Sequence, residues 1–64
     1  MSYGERLKYL REQRGMTQEE LGDKINVSRQ LICQFERGSK NISLPMAKEI
    51  VRALGVKMAE LTDE

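Results

Sequence analysis

The sequence contains very few of the residues that build metal sites and disulfides. Its 64 residues include one cysteine, Cys33, and no histidine. A disulfide within the chain needs two cysteines, and a zinc site of the usual spacings needs several Cys or His ligands, so both are excluded. A single unpaired cysteine is typical of a reducing compartment, and we expect a cytoplasmic protein without a metal or other cofactor.

Long hydrophobic runs are also missing. No apolar segment approaches the roughly 18 residues that a membrane-spanning helix needs, and the first residues, MSYGERLK, lack the apolar stretch of a signal peptide. We therefore expect no membrane association and no secretion signal. The sequence also lacks a glycine-rich phosphate loop and a nucleophile paired with a base, so we expect neither enzymatic activity nor a small-molecule substrate.

Neither sign of charge is in clear excess. The net charge is +1, from 11 Lys or Arg and 10 Asp or Glu, and the asymmetry along the chain is slight. Many proteins that bind nucleic acid are plainly basic, so the total charge by itself argues weakly against such a partner. A solvated surface of mixed charge is the simpler explanation of the composition.

The chain does contain helical periodicity, in short segments. Apolar residues recur with a period of 3.6, turn residues separate the segments, and no alternating strand pattern is present. The pattern predicts an all-α fold, a compact bundle of four to five short helices in a single domain spanning residues 1–64. A domain this small buries only about 60% of its unfolded surface, so contacts with partners can contribute to its stability.

Capping and stop residues predict the first helices. Helix 1 is expected from Ser2 or Tyr3 to Arg14, before Gly15, with one face formed by Tyr3, Leu7, Leu10 and Arg14. Helix 2 is expected to begin with a capping box formed by Thr17 and Glu20, and to point Leu21 and Ile25 inward. It is expected to end at Asn26, because asparagine tolerates the left-handed conformation.

Three further helices are expected. Ser28 caps a helix from about Arg29 to Arg37 that ends at Gly38. A fourth helix begins after the cap residue Ser43, and its Pro45 is acceptable because a first-turn N–H has no intrahelical partner. It ends at Gly55, and a short fifth helix is expected from Lys57 to Thr62. The buried stripe of the fourth helix comprises Met46, Ala47, Ile50, Val51 and Leu54.

The third helix has an outward face without a carboxylate. At about 100° per residue, Ile32, Phe35 and Glu36 lie on one arc, and Leu31 lies at its edge. The opposite arc carries Gln30, Cys33, Gln34 and Arg37, and Arg29 lies near the exposed N-terminus of the helix. Arg can form paired hydrogen bonds with guanine, and Gln can do so with adenine. The face is typical of a base-reading surface, although Gln and Arg are also good helix formers on a solvated face.

The link between the second and third helices is short. Because only Asn26, Val27 and Ser28 join them, the two helices cannot lie antiparallel side by side and must cross steeply. A close crossing requires a small residue on the second helix, and Gly22 provides one. A glycine inside a helix costs about 1 kcal/mol relative to alanine, which suggests a packing reason for its presence.

These residues resemble the helix-turn-helix family of phage repressors and Cro, also called the XRE family. The resemblance covers nearly the whole chain and is carried by Thr17-Gln18-Glu19-Glu20-Leu21, Asn26-Val27-Ser28, Glu36-Arg37-Gly38 and Ala53-Leu54-Gly55-Val56, with Ile32 and Phe35 in the core. Two positions depart from the family pattern: Gly22 stands where Ala is usual, and Ile42 stands where Pro is common.

The resemblance implies a lambda repressor-like DNA-binding domain with its helix-turn-helix at about residues 17–37. It implies a sequence-specific, repressor-type transcriptional regulator whose third helix enters the major groove of double-stranded DNA. The base-contacting candidates are Arg29, Gln30, Gln34, Leu31 and Cys33. The phosphate-contacting candidates are Gln18, Ser28, Arg37, Lys40 and Asn41. The resemblance also implies an ion pair between Arg11 and Glu36.

One domain of this size reads only a few base pairs, so we expect a homodimer on a pseudo-palindromic operator. The candidate self-contact residues are Val56, Met58 and Leu61; alternatively, these side chains close the core of one subunit. An antitoxin or a restriction-modification controller is an alternative within the regulator class. A helical protein-interaction module that does not bind DNA is the alternative from a different class.

Overall fold

The computed structural model describes residues 2–62, which form five helices and no strand. The helices are α1 (Tyr3–Gln13), α2 (Gln18–Ile25), α3 (Arg29–Arg37), α4 (Leu44–Leu54) and α5 (Met58–Thr62). The predicted all-α fold is confirmed. Two ends differ by one residue, because Arg14 is the C-cap of α1 and Lys57 precedes α5. Across residues 2–62, every helix is too short or too polar to cross a membrane.

Two helices begin with the same reciprocal cap. Thr17 Oγ1 accepts a hydrogen bond from the Glu20 N–H at 3.0 Å, and the Thr17 N–H donates to Glu20 Oε1 at 2.8 Å. This confirms the predicted capping box of α2. Ser2 and Glu5 form an equivalent box at the start of α1, with distances of 3.2 and 3.0 Å. The second box was not predicted, although its Ser-x-x-Glu spacing was present in the sequence.

The helices enclose one core. Its members come from all five helices and are Leu7, Leu10, Leu21, Ile32, Phe35, Ala47, Ile50, Leu54 and Leu61. Helix α1 packs against α3 and α5, α2 packs against α3 and α4, and α4 packs against α5. With a radius of gyration of 10.1 Å, the bundle has the size expected of a compact chain of this length.

The face of α1 that carries Tyr3, Leu7, Leu10 and Arg14 is buried only in its middle, at the two leucines. Tyr3 is 54% exposed, and Arg14 is also exposed and donates from Nη2 to the Gly55 carbonyl at 3.3 Å. Arg11 also lies on the inner face, beside Leu7 and Leu10, and is 8% exposed. The helical period places Arg11 one turn after Leu7, and its burial requires a partner for the guanidinium group.

A glycine allows α1 to approach α3 closely. A Cβ atom at Gly4 would clash with the carbonyl oxygen of Phe35 and would lie 2.7 Å from that of Glu36. The first turn of α1 therefore lies directly against the backbone at the end of α3. This close contact sets the position of the rest of α1, including Arg11, relative to α3.

Candidate nucleic-acid interface

The turn between α2 and α3 is tight and is closed by two specific backbone features. Asn26 adopts the left-handed conformation with φ 64°, as predicted, and the Val27 N–H donates to the Gly22 carbonyl at 2.9 Å. A Cβ atom at Gly22 would lie 2.6 Å from the Val27 carbonyl oxygen. Glycine therefore lets the turn close onto α2, whereas alanine at this position would require the turn backbone to move.

The N-terminus of α3 is suited to an anion. Ser28 is the N-cap, and its hydroxyl accepts a hydrogen bond from the Leu31 N–H at 3.1 Å. The first turn contains no acidic residue. The first N–H groups of a helix carry partial positive charge and lack intrahelical acceptors, so they attract phosphate.

The two faces of α3 differ as the sequence predicted. Ile32 and Phe35 are 0% and 5% exposed and anchor the helix in the core. The outward face carries three exposed residues, Arg29, Gln30 and Arg37, and two half-buried ones, Cys33 and Gln34. Leu31 lies at the edge between the two faces, where it is half-buried and packs against the core. None of the five outward residues is in the core, so polar groups at the front of α3 can reach a ligand.

The acidic residue of α3 is directed away from that outward face. Glu36 Oε2 accepts from Arg11 Nε at 2.6 Å, and Glu36 Oε1 accepts from Arg11 Nη2 at 3.1 Å. The two side chains are 9% and 5% exposed, so the pair is buried. The hydrogen bonds to Glu36 raise the pKa of the Arg11 guanidinium above its ordinary value, which keeps Arg11 charged. The ion pair expected from the resemblance is present.

Gln18 has an additional partner that was not predicted. It is the first residue of α2 and is half-buried, and its Nε2 donates to Glu36 Oε1 at 3.0 Å. The two residues are 18 positions apart, and no local pattern connects them. Only the crossing of α2 over α3 brings the amide to the carboxylate.

The remaining phosphate candidates lie at the two ends of α3. Ser28 precedes the helix, Arg37 is its last residue, and Lys40 and Asn41 come after it. All four residues are exposed. Gly38, with φ 80°, is in the left-handed conformation and ends the helix before Lys40. The candidates therefore occur at both ends of α3 along the chain, and their side chains are exposed.

One of the candidate self-contact residues is corrected by the structure. Leu61 is 2% exposed and belongs to the core of its own subunit, so its side chain is not available to a second copy. Val56 and Met58 are half-buried and pack against the edge of the core, with part of each side chain exposed.

A helix-turn-helix family model, HTH_3, matches residues 7–61, which include α2, the turn and α3 together with the supporting helices. The chain belongs to this family of DNA-binding transcriptional regulators, which are not enzymes.

Named relatives come from phages, archaea and bacteria. The immunity repressor protein of Bacillus phage phi105 is 34% identical over the whole chain, which spans 44% of that repressor. The HTH-type transcriptional regulator MJ0272 of Methanocaldococcus jannaschii is 41% identical over 88% of the chain and 85% of its own length. Control protein C.BamHI of Bacillus amyloliquefaciens is 34% identical over 95% of the chain and 76% of its own length.

Two solved structures have the same fold. The clp gene regulator ClgR from C. glutamicum superposes with a TM-score of 0.92 at 30% identity, covering 95% of this chain and 79% of ClgR. The restriction-modification controller protein C.AhdI from Aeromonas hydrophila superposes with a TM-score of 0.88 at 34% identity, covering 92% of this chain and 89% of C.AhdI.

Proposed function

We propose that this chain is a repressor-type regulator that reads the major groove of double-stranded DNA with α3. The observation that carries the proposal is the outward face of α3, which presents guanidinium and amide groups without a carboxylate. Glu36, the acidic residue of α3, is turned toward Arg11 and so does not repel phosphate.

Each outward residue has a proposed role. Arg29, Gln30 and Gln34 contact base edges, because their donors and acceptors match guanine and adenine in the major groove. Leu31 and Cys33 lie between them and contact thymine methyl groups. The phosphate contacts are made by Gln18, Ser28, Arg37, Lys40 and Asn41. Residues 17–37 thereby act as the helix-turn-helix of one domain, residues 1–64, which we place in the cytoplasm.

We further propose that two copies bind together on a pseudo-palindromic operator. A single copy of this domain spans only a few base pairs, and two half-sites about 34 Å apart would restore useful specificity. Val56 and Met58 are the proposed self-contact residues. In support, Tyr3 and Leu44 next to Met58 are 54% and 63% exposed, which gives this end of the molecule an apolar surface.

Salt dependence of DNA binding tests the proposal. The chain would be titrated into a fluorescein-labelled duplex of random sequence at several salt concentrations. If each subunit neutralises about four phosphates, log K for a dimer falls against log salt with a slope near −7, because counterions are released. A nearly flat dependence would exclude DNA as the partner. Selection of bound duplexes from a random pool would then give the operator and its symmetry.

The controller proteins support a second candidate function. C.BamHI and C.AhdI are both similar to this chain over most of their own length. A controller of restriction and modification would read DNA with the same outward face of α3. A methyltransferase gene beside the chain's own gene would favour this function. Control by the chain of a reporter gene placed behind the upstream DNA of either gene would distinguish it from repression of unrelated genes.

A further inference from the structure

Glu36 connects side chains from two other helices. Its carboxylate accepts hydrogen bonds from Arg11 on α1 and, at 3.0 Å, from the Gln18 amide at the start of α2. Arg11 Nη1 also donates to the Met16 carbonyl at 2.7 Å, in the loop that precedes α2. The end of α3, the body of α1 and the first residue of α2 are therefore linked through one carboxylate.

The link restricts the orientation of the Gln18 side chain. A carboxylate only accepts hydrogen bonds, so it selects the NH₂ end of the amide rather than the oxygen. The Gln18 NH₂ group carries two hydrogens, and the contact with Glu36 uses one of them. The second N–H remains available for another acceptor. An exposed glutamine, in contrast, samples many rotamers and both directions of its amide.

We propose that Glu36 is a positioning residue for DNA binding, because it holds the Gln18 amide with one N–H available to a phosphate oxygen. The inference rests on the phosphate contact proposed above for Gln18. A side chain that is ordered before binding loses less conformational freedom when the complex forms. The orientation of Gln18 in the free protein thereby contributes to affinity, although Glu36 itself does not contact DNA.

The change in DNA affinity when Arg11 and Glu36 are replaced together separates positioning from simple electrostatics. A carboxylate beneath a phosphate-binding residue would, by charge alone, weaken the binding of DNA. Replacing Arg11 and Glu36 together removes one positive and one negative charge, so the net charge stays the same. Charge alone then predicts little change in affinity, whereas positioning predicts a loss.

The test compares Gln18→Met, the pair Arg11→Met/Glu36→Met and the triple variant, with Gln13→Met on exposed α1 as the matched control. Each is titrated against the random-sequence duplex at several salt concentrations, below its own melting temperature. We expect Gln18→Met and the pair each to bind about tenfold more weakly, the loss typical of one hydrogen bond to a charged group. The triple variant should lose no more affinity than Gln18→Met or the pair loses alone. The slope of log K against log salt should not change, because Gln18 is neutral and the pair keeps the net charge.

Side-chain amide NMR of the unaltered chain tests the same contact without relying on a variant that must fold. The amide protons of Gln18, assigned by their loss in Gln18→Met, should exchange with water more slowly than those of exposed Gln13, and the slow exchange should persist in the complex. Exchange as fast as that of Gln13 would overturn the proposal. Unchanged affinity in the pair, or losses that add in the triple variant, would also overturn it. If the unaltered chain does not bind the duplex at all, the proposed function is overturned, and the proposal for Glu36 is overturned with it.

Discussion

Glu36 lies on the helix that would face DNA, where an exposed carboxylate would repel phosphate. The chain avoids this by burying the carboxylate against Arg11, with both side chains less than 10% exposed. A buried ion pair adds little net stability, since desolvation offsets the attraction between the charges. Its contribution at the residue scale is therefore structural: it keeps the outward face of α3 free of negative charge and fixes α1 against α3.

Replacing Glu36 and replacing Gln34 should differ in their effect on stability. Glu36→Ala leaves the buried Arg11 charge without its partner, so we expect a loss of roughly 3 kcal/mol in the free energy of unfolding. Gln34→Ala removes a half-buried outward side chain and should change stability by less than about 0.5 kcal/mol, while lowering operator affinity about tenfold. Denaturant melts and binding titrations of both variants would measure this. Equal losses of stability in the two would contradict the assignment.

Gly4 is a second residue whose replacement should be costly. In Gly4→Ala the new Cβ meets the backbone carbonyls of Phe35 and Glu36, and α1 has to move away from α3. We expect a loss of about 1 to 3 kcal/mol, the usual cost of overpacking, despite the higher helix propensity of alanine. Lys8→Ala, at an exposed position of the same helix, is the matched control. If both variants have the same denaturation midpoint, the close α1–α3 contact does not exist in solution.

At the scale of the element, the capping boxes of α1 and α2 make stability depend on pH. The backbone N–H of Ser2 lowers the pKa of Glu5 below 4.5, and the backbone N–H of Thr17 does the same for Glu20; the Ser2 and Thr17 hydroxyls add to both effects. A carboxyl group with a lowered folded pKa contributes stability that is fully present above its unfolded pKa. The contribution is lost as pH falls through the folded pKa.

We therefore expect the melting temperature to fall as the pH decreases below about 4.5, and to fall less steeply in Glu5→Gln/Glu20→Gln. Thermal melts between about pH 7 and pH 3 would show this. Glu12→Gln, an exposed glutamate outside both boxes, should keep the acid sensitivity of the unaltered chain. A capping-box variant with unchanged acid sensitivity would show that these carboxylates do not carry the effect.

At the scale of the whole molecule, the core and the proposed self-contact compete for the same C-terminal side chains. Leu61 is buried in the core, while Met58 lies at its edge next to exposed Tyr3 and Leu44. In a domain of 64 residues the core is small, and each buried side chain is a large fraction of it. Stability and self-association should therefore respond to different residues of α5.

Leu61→Ala should lower the free energy of unfolding by about 2 to 5 kcal/mol, because it leaves a cavity in the core. Met58→Lys keeps a long aliphatic stem that can cover the core edge, so we expect a change in stability below about 1 kcal/mol. It should weaken the dimer, because it places a charge in the proposed self-contact. Sedimentation equilibrium without DNA would measure the association. An unchanged dimer dissociation constant in Met58→Lys would show that the self-contact lies elsewhere on the surface.

Much of the fold could be predicted because its signals are local. Thr17, Asn26, Ser28 and Gly38 determine where helices begin and end through their own side chains or backbone preferences, and all four act as predicted. The division of α3 into an apolar and a polar face follows from helical geometry alone. The exposure of Tyr3 could not be predicted in this way, because at a helix end periodicity does not tell whether another element covers the residue.

The amino-acid sequence by itself determined the helices, their caps and the polar face of α3, because these depend on residues at most four positions apart. Only the tertiary structure decided that Glu36 also receives Gln18, that Gly4 contacts the end of α3 and that Leu61 is buried. Such contacts join residues distant in the chain. They depend on how closely the helices pack, and no local pattern of residues encodes that distance.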